Sequence, residues 1–502
     1  MMKHVNYTNY NYFLLIIIAL FFRILGFYFP FWGLEYEDSY IYSAVSRQIS
    51  LNYSFDEDPL FTKYIIFGDL KSGILTQTIS GHFIFFPAIL SVINLIFGYS
   101  TFNIIILNTL LSIINIVYAS RLFNLLVNNK TSQLFFSLLY ASTPFLCLYN
   151  TSGLSETMSS VFVIMTLYFY IRKNVEKNIS NYSKVYLLFI LLSIIIKRDN
   201  LVLIALPFID LIKYLFSDRI NIKKKFISVI LVITTVIFIF FIFKVDKTLI
   251  DEKADINNIN PFSFSYFFTL FPVFIKSLFN MRFFGQFSIL MVASIFIIKK
   301  TKENTIILFC ISLLYLLIYT FHYRSYYMVN GNFVPNIIDT FRYYTNFFSI
   351  LMIAFSITFF NELNYVIEKY KKFITTIIVA CLIINFYFSY EIRDELSAIE
   401  YNERIKPVAE SLKLITKNDI IVTDRSVLFQ MFGKEDIFIV DITAISMDEI
   451  KTLNVLNKSK KIYYMKDEEL DNRYSIKNYF EQNNKFIFKK RLSTHYVLLE
   501  TK

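Results

Sequence analysis

HFIFFPAILSVINLIF, residues 82–97, is the stretch on which the topology of this chain turns. It is apolar, but it falls short of the roughly 20 helical residues that cross a hydrocarbon core about 30 Å thick, and Pro87 stands near its start. Counted as a crossing, it inverts every later connection. Kept on one side as a re-entrant or juxtamembrane helix, it lets the connections agree. Residues 121–130, 172–184, 213–225, 299–303 and 361–372 are basic on balance and then all lie in the cytoplasm, where Lys and Arg beside membrane helices accumulate. We therefore read 82–97 as a juxtamembrane helix on the outer side.

Working outward from it, apolar runs at 12–31, 103–120, 133–149, 155–171, 185–197, 200–216, 226–244, 284–298, 305–321, 342–360 and 373–390 predict about eleven transmembrane helices, with the N-terminus inside and the C-terminus outside. The segments 32–102, 150–154, 245–283, 322–341 and everything after 390 then face outward. The composition agrees with a polytopic α-helical membrane protein: 55% of residues are hydrophobic and 18% charged, with 57 Phe and 36 Tyr. Only 10 Gly and 9 Pro occur, which excludes collagen-like and linker-dominated chains. A net charge of +11 would point to nucleic acid in a soluble protein. Here the positive runs at 223–225, 299–302 and 369–372 adjoin apolar stretches and act as topological anchors, so no nucleic-acid partner is expected.

Cys147, Cys310 and Cys381 lie in apolar segments without metal-ligand spacing and read as packing residues. Lys3 and the apolar run from Phe13, with no small-residue cleavage site near Trp32, read as a retained signal anchor. Past residue 390 the pattern becomes that of a soluble domain. Strand-like runs at 420–424, 437–441 and 461–465 alternate with helical spacing at 404–415 and 447–456, predicting a small α/β domain with a parallel core. The expected organisation is a membrane domain, 1–390, and an extracytoplasmic domain, 391–502.

The outer segment 32–82 carries seven acids, Glu35, Glu37, Asp38, Asp56, Glu57, Asp58 and Asp69, against Arg47, Lys63 and Lys71. Residues 37–45 read as a short amphipathic helix whose acidic N-terminus suits the helix dipole. By composition alone this is a solvated acidic cap that helps orientation.

The order of motifs resembles the C-type membrane glycosyltransferases, in particular the branch of the dolichyl-phosphate-mannose protein mannosyltransferases and aminoarabinose transferases. A first membrane helix containing Arg23 precedes the acidic pair Glu37-Asp38, with Tyr40 and Ala44, similar to that family's Asp-Glu-x-x-Tyr loop. Ser80-Gly81-His82-Phe83, with Pro87 opening an apolar helix that ends at Phe97-Gly98-Tyr99-Ser100, is similar to the His-Pro-Pro helix, although that signature is reduced here to His82-Phe83-Ile84. Gly153-Leu154-Ser155-Glu156 stands where the family carries its second outward acid. Arg198-Asp199-Asn200 resembles an Arg-Pro-Glu turn, and Arg342-Tyr343-Tyr344 a late Arg-Tyr. The resemblance covers residues 10–215 well and 320–360 loosely. It implies an inverting glycosyltransferase of the plasma membrane, multi-pass, with a catalytic outer loop at 32–102. The implied partners are a polyprenyl-phosphate-linked sugar and a glycan, lipid or protein acceptor.

The chemistry asked of these residues is definite. An acceptor hydroxyl needs a base within about 3 Å, and Glu37 or Asp38 is placed for it, with Glu37 preferred. Glu156 would hold the acceptor, support the base or bind a divalent cation, the one cofactor in view. Arg198, Arg324 and Arg342 are candidates to stabilise the leaving phosphate through paired hydrogen bonds, each with a plain alternative as an interfacial anchor. His82 is a further phosphate donor or a structural helix start. The competing reading is a transporter or flippase of lipid-linked glycans, which would show inverted repeats and broken central helices. The Trp-Trp-Asp signature of oligosaccharyltransferases cannot occur in a chain whose single tryptophan is Trp32.

Overall fold

The computed structural model describes residues 9–28, 42–43, 45–47, 49–50, 85–176, 179–215, 264–297, 302–321, 328–329, 332–333 and 344–400, and in the tail 402, 405–416, 419–423, 428–429, 438–441, 461–467, 486–493 and 496–501. The helices, in chain order, are α1 (Asn9–Tyr28), α2 (Phe85–Phe97), α3 (Asn103–Leu126), α4 (Lys130–Ser142), α5 (Pro144–Tyr149), α6 (Glu156–Glu176), α7 (Ile179–Ile196), a 3-10 helix (Arg198–Ile204), α8 (Ala205–Leu215), α9 (Phe264–Leu278), α10 (Met281–Phe284), α11 (Phe287–Ile297), α12 (Glu303–Phe321), α13 (Thr345–Glu362), α14 (Asn364–Lys369), α15 (Lys371–Glu400) and α16 (Lys406–Leu414). The strands are β1 (Met328–Val329), β2 (Asn332–Phe333), β3 (Ile420–Thr423), β4 (Phe438–Asp441), β5 (Ile462–Asp467), β6 (Phe486–Arg491) and β7 (Tyr496–Thr501). The chain divides into two compact units, one of Met1–Arg23, Thr109–Asn150 and Ser155–Ser389, the other of Ile24–Asn108, Thr151–Leu154 and Tyr390–Lys502.

The chain is mostly helical with a small sheet, as a membrane protein of this composition requires. Among the described residues three helices are long and apolar enough to cross a bilayer: α3, α12 and the Lys371–Glu395 part of α15. Their apolar side chains also face outward, Phe373 and Ile383 on α15 each being 66% exposed, a surface suited to lipid. Other expected spans are shorter or broken. The span expected at 133–149 is two helices, because Pro144 disfavours helical geometry at the residue before it and Thr143 adopts ψ 122°. The span at 200–216 opens as the 3-10 helix. The span at 284–298 starts after a corner at Gly285, whose φ of 55° and close approach to Asn385 leave no room for a side chain. The run 226–244 lies outside the described residues.

Two polar clusters tie the helical unit together. Arg23, fully buried on α1, donates from Nε to Ser112 Oγ on α3 at 2.9 Å, from Nη1 to the Ala141 carbonyl, and from Nη1 to Cys147 Sγ at 3.4 Å. The carbonyl belongs to the last turn of α4, the end of a helix that attracts a cation. Near the C-terminal end of α6, Lys173 pairs with Asp210, which also accepts from Tyr186 Oη at 2.8 Å, and Lys213 meets Glu303 at 2.5 Å. Cys147 and Cys381 are buried as expected, whereas Cys310 is exposed on α12.

In the second unit, α2 has 13 residues and is too short, at about 1.5 Å rise per residue, to span a bilayer. The described helical residues among 42–50 include the buried Tyr42, Val45 and Ile49, at i, i+3 and i+7 spacing, and the Tyr42 ring lies 5.2 Å from that of Phe86 on α2. Asn94 on α2 donates to Ser46 Oγ at 3.1 Å and accepts from Asn103 at 2.8 Å. Asn108 donates to the Ser152 carbonyl and, at 3.0 Å, to that of Leu154, and Arg393 donates to Thr151.

The tail sheet has the order β4-β3-β5-β7-β6. Strand β3 is parallel to β4 and β5, but β7 is antiparallel to β5 and β6, so the expected parallel core is one half of a mixed sheet. The turn between β6 and β7 is short, closed by Leu492 N–H donating to the Tyr496 carbonyl at 2.9 Å, and two strands so joined can only run antiparallel. Glu500 on β7 is buried and receives Lys461 at 2.5 Å and Lys489 at 2.7 Å. The Lys461 hydrogen bond, then that of Lys489, holds its carboxyl below the usual carboxylate range.

Candidate functional site

Of the residues singled out in the sequence, Glu37, Asp38, His82, Arg324 and Arg342 lie outside the described residues, and Arg198 is described by its backbone alone, opening the 3-10 helix. Glu156 is described in full, and the site is built outward from it.

Glu156 is the first residue of α6, where the unpaired N–H groups of the helix start favour a carboxylate. It is only 5% exposed. Its Oε1 accepts from Lys197 Nζ at 3.1 Å. Lys197 stands where α7 ends, in extended backbone with φ −152° and ψ 124°, which breaks the helix and turns the chain into the 3-10 segment. Its ammonium also lies 3.9 Å from Asp199 Oδ2, and Asp199 Oδ2 accepts from Tyr319 Oη on α12 at 2.9 Å. One ammonium therefore sits between two carboxylates drawn from two helix starts.

Beneath this pair the scaffold converges on Asn200, which is fully buried. Its amide donates to Ser159 Oγ on α6 and to the Ser193 carbonyl on α7, each at 2.8 Å. Its carbonyl accepts from Tyr315 Oη on α12 at 2.8 Å and from Asn346 Nδ2 on α13 at 3.0 Å. Asn346 also donates to Ser159 Oγ at 3.0 Å. Four helices are thus held in one hydrogen-bonded register directly under Glu156 and the turn that begins at Arg198. In an apolar bundle each of these groups would be costly without its partner.

The structure brings together two elements that the sequence marked separately, the acid at 156 and the turn at 198–200. It adds Lys197, Tyr315, Tyr319 and Asn346, which were not singled out. The available signal was Tyr315 and Tyr319 four residues apart on one helix face, and asparagines inside apolar runs. Among the described residues no three His, Cys, Asp or Glu side chains gather as a metal site. Between Glu156 and Asp199 stands the Lys197 ammonium, 3.1 Å from the one and 3.9 Å from the other.

No protein-family model matches the chain, and no curated protein matches it. Among solved structures, the chain is similar to ArnT from Cupriavidus metallidurans, both bound to undecaprenyl phosphate and in the apo state; each comparison gives a TM-score of 0.56 at 11% identity and covers 97% of both chains. It also matches the apo form of the Archaeoglobus fulgidus oligosaccharyltransferase with a TM-score of 0.48 at 10% identity, covering 93% of this chain and 70% of that one. The chain thus shares the fold of ArnT along nearly its whole length.

Proposed function

We propose that the chain is an inverting glycosyltransferase that moves a sugar from a polyprenyl-phosphate-linked donor to a glycan, lipid or protein acceptor on the outer side of the plasma membrane. The observation that carries this reading is the assembly of buried Glu156 with Lys197 and the turn at Arg198, on a fold shared with a protein that binds undecaprenyl phosphate. In the reaction, Glu37 or Asp38 takes the proton of the acceptor hydroxyl, and the acceptor oxygen bonds to the anomeric carbon. The bond from that carbon to the phosphate oxygen breaks on the opposite face, and polyprenyl phosphate leaves with the electron pair. Arg198, Arg324, Arg342 and His82 balance the phosphate charge. Glu156, with one oxygen held by Lys197, orients the acceptor or donor.

The proposed topology is about eleven spans with the N-terminus inside, the active site and tail outside, and α2 as an outer juxtamembrane helix. The five basic connections support it. Single cysteines introduced at Lys224 and Lys490 check it: an impermeant reagent on intact cells should label position 490 and spare 224. The reverse pattern overturns the topology.

The reaction is checked in proteoliposomes loaded with undecaprenyl phosphate carrying a radiolabelled hexose or pentose and supplied with total surface acceptors. A transferase consumes the labelled lipid and releases undecaprenyl phosphate. A lipid that changes leaflet but keeps its sugar would identify a flippase and overturn the proposal.

A further inference from the structure

On α3, Leu110, Ile114, Tyr118 and Arg121 follow one another at i, i+4, i+8 and i+11 and so share one face of the helix. Leu110 and Ile114 are 51% and 41% exposed, on a helix long and apolar enough to cross a bilayer, and Phe13 on α1 is 66% exposed. The stripe suits lipid and ends in a cation. The Arg121 guanidinium lies 5.7 Å from the centre of the Tyr12 ring on α1 and 5.3 Å from that of Tyr118. Arg121 is exposed, and among the described residues no carboxylate pairs with it and no acceptor takes its N–H groups. A second arginine over tyrosine rings shows the contrast. Arg172 on α6 lies 4.8 Å from the Tyr182 ring and 5.8 Å from that of Tyr168, whose ring is 5.4 Å from that of Tyr118. Arg172, however, is neutralised by Glu176 at 2.8 Å and donates to Tyr168 Oη at 3.0 Å. The eight residues before α1 add Lys3 and His4 and no acid.

We propose that Arg121, with the Tyr12 and Tyr118 rings, holds the phosphate of an anionic phospholipid whose acyl chains lie along Leu110 and Ile114. A guanidinium over aromatic rings keeps its N–H groups in one plane, the donor geometry that a phosphate accepts in pairs. A charge left unpaired at the margin of an apolar surface is costly, and a phosphate diester supplies the missing anion. The apolar stripe selects a lipid over free phosphate, which has nothing to place against Leu110 and Ile114. The site is apart from the one at Glu156: Tyr168 stands twelve residues after Glu156 on α6, about 18 Å along the axis at a rise of about 1.5 Å per residue. In the proposed topology this end of α3 meets the cytoplasmic leaflet, whose anionic headgroups attract cations beside membrane helices.

The test uses the full-length chain in detergent, with native mass spectrometry titrations of phosphatidylglycerol, of phosphatidylcholine, whose choline cation offsets its phosphate, and of inorganic phosphate. Wild type should retain phosphatidylglycerol over phosphatidylcholine, and inorganic phosphate at the same concentration should not displace it. Arg121→Gln removes the charge and the paired donors, and should cut phosphatidylglycerol retention about five- to tenfold. Lys130→Gln removes an equal charge from an exposed residue at the start of α4, in the connection that follows α3, and should leave retention unchanged. Equal losses in the two variants would assign the lipid to diffuse attraction by basic helix ends and overturn the site. Unchanged retention in Arg121→Gln overturns it as well, and so does equal wild-type retention of the two lipids. Displacement of the lipid by inorganic phosphate at equal concentration overturns the lipid as occupant. If Arg121→Gln does not fold, Tyr118→Leu decides by the same measurement: it keeps the charge and removes a ring, and should cut retention about threefold, no change counting against the site.

Discussion

Replacing the catalytic base with its amide is expected to slow sugar transfer by about 10² to 10⁴, because the amide keeps the volume of the carboxylate and cannot take the proton. The two candidates, Glu37 and Asp38, are neighbours. On a helix successive side chains diverge by about 100°, so only one can face a given hydroxyl. Glu37→Gln and Asp38→Asn should therefore differ sharply in initial rate with a purified polyprenyl-phosphate donor, while both variants reach the membrane at wild-type levels; we expect the larger loss at Glu37. Wild-type rates in both variants would reduce the segment to an acidic cap and remove the base from the mechanism.

The second large effect is on stability. Asn200→Ala should destabilise the helical unit by about 3 to 5 kcal/mol. The truncation deletes two donated and two accepted hydrogen bonds at a fully buried point. It strands the Tyr315 hydroxyl, while Asn346 keeps its bond to Ser159. Asn346→Ala removes two bonds instead of four and should cost about half as much. Denaturant titrations in detergent, read by intrinsic tyrosine fluorescence, give both values. A loss under about 1 kcal/mol for Asn200→Ala would mean that water enters the cluster and restores the lost partners. Because Asn200 follows the turn that presents Lys197 and Asp199, its loss should also raise KM for the donor at temperatures where the protein stays folded.

What could be read from residues alone divides by range. A helix within 82–97 was legible from its local apolar pattern, and the structure has one at Phe85–Phe97; the short helix expected at 37–45 lies mostly outside the described residues. The break at Pro144 was legible in principle, but the apolar run continues through it and length was weighed above the proline. The corner at Gly285 depends on the approach of Asn385, 100 residues away, which no local pattern encodes. In the tail, β6 and β7 went unread because FIFKKR and YVLLET lack a clean two-residue alternation, and pairing of β7 with both β5 and β6 is a property of the sheet. The same holds at the site. Lys197, Tyr315 and Asn346 gain meaning only through partners 41, 115 and 146 residues distant.

The buried guanidinium of Arg23 bears on how the chain is made. Its acceptors lie 89 residues later at Ser112 and 118 later at Ala141. At a synthesis rate of about 5 to 20 residues per second, the first helix leaves the ribosome some 6 to 24 s before the second of those acceptors exists. For that interval the guanidinium lacks the partners that satisfy it in the folded unit, and an unpaired buried charge is costly. In biogenesis, therefore, α1 can reach its final packing only after α3 and α4 have been made.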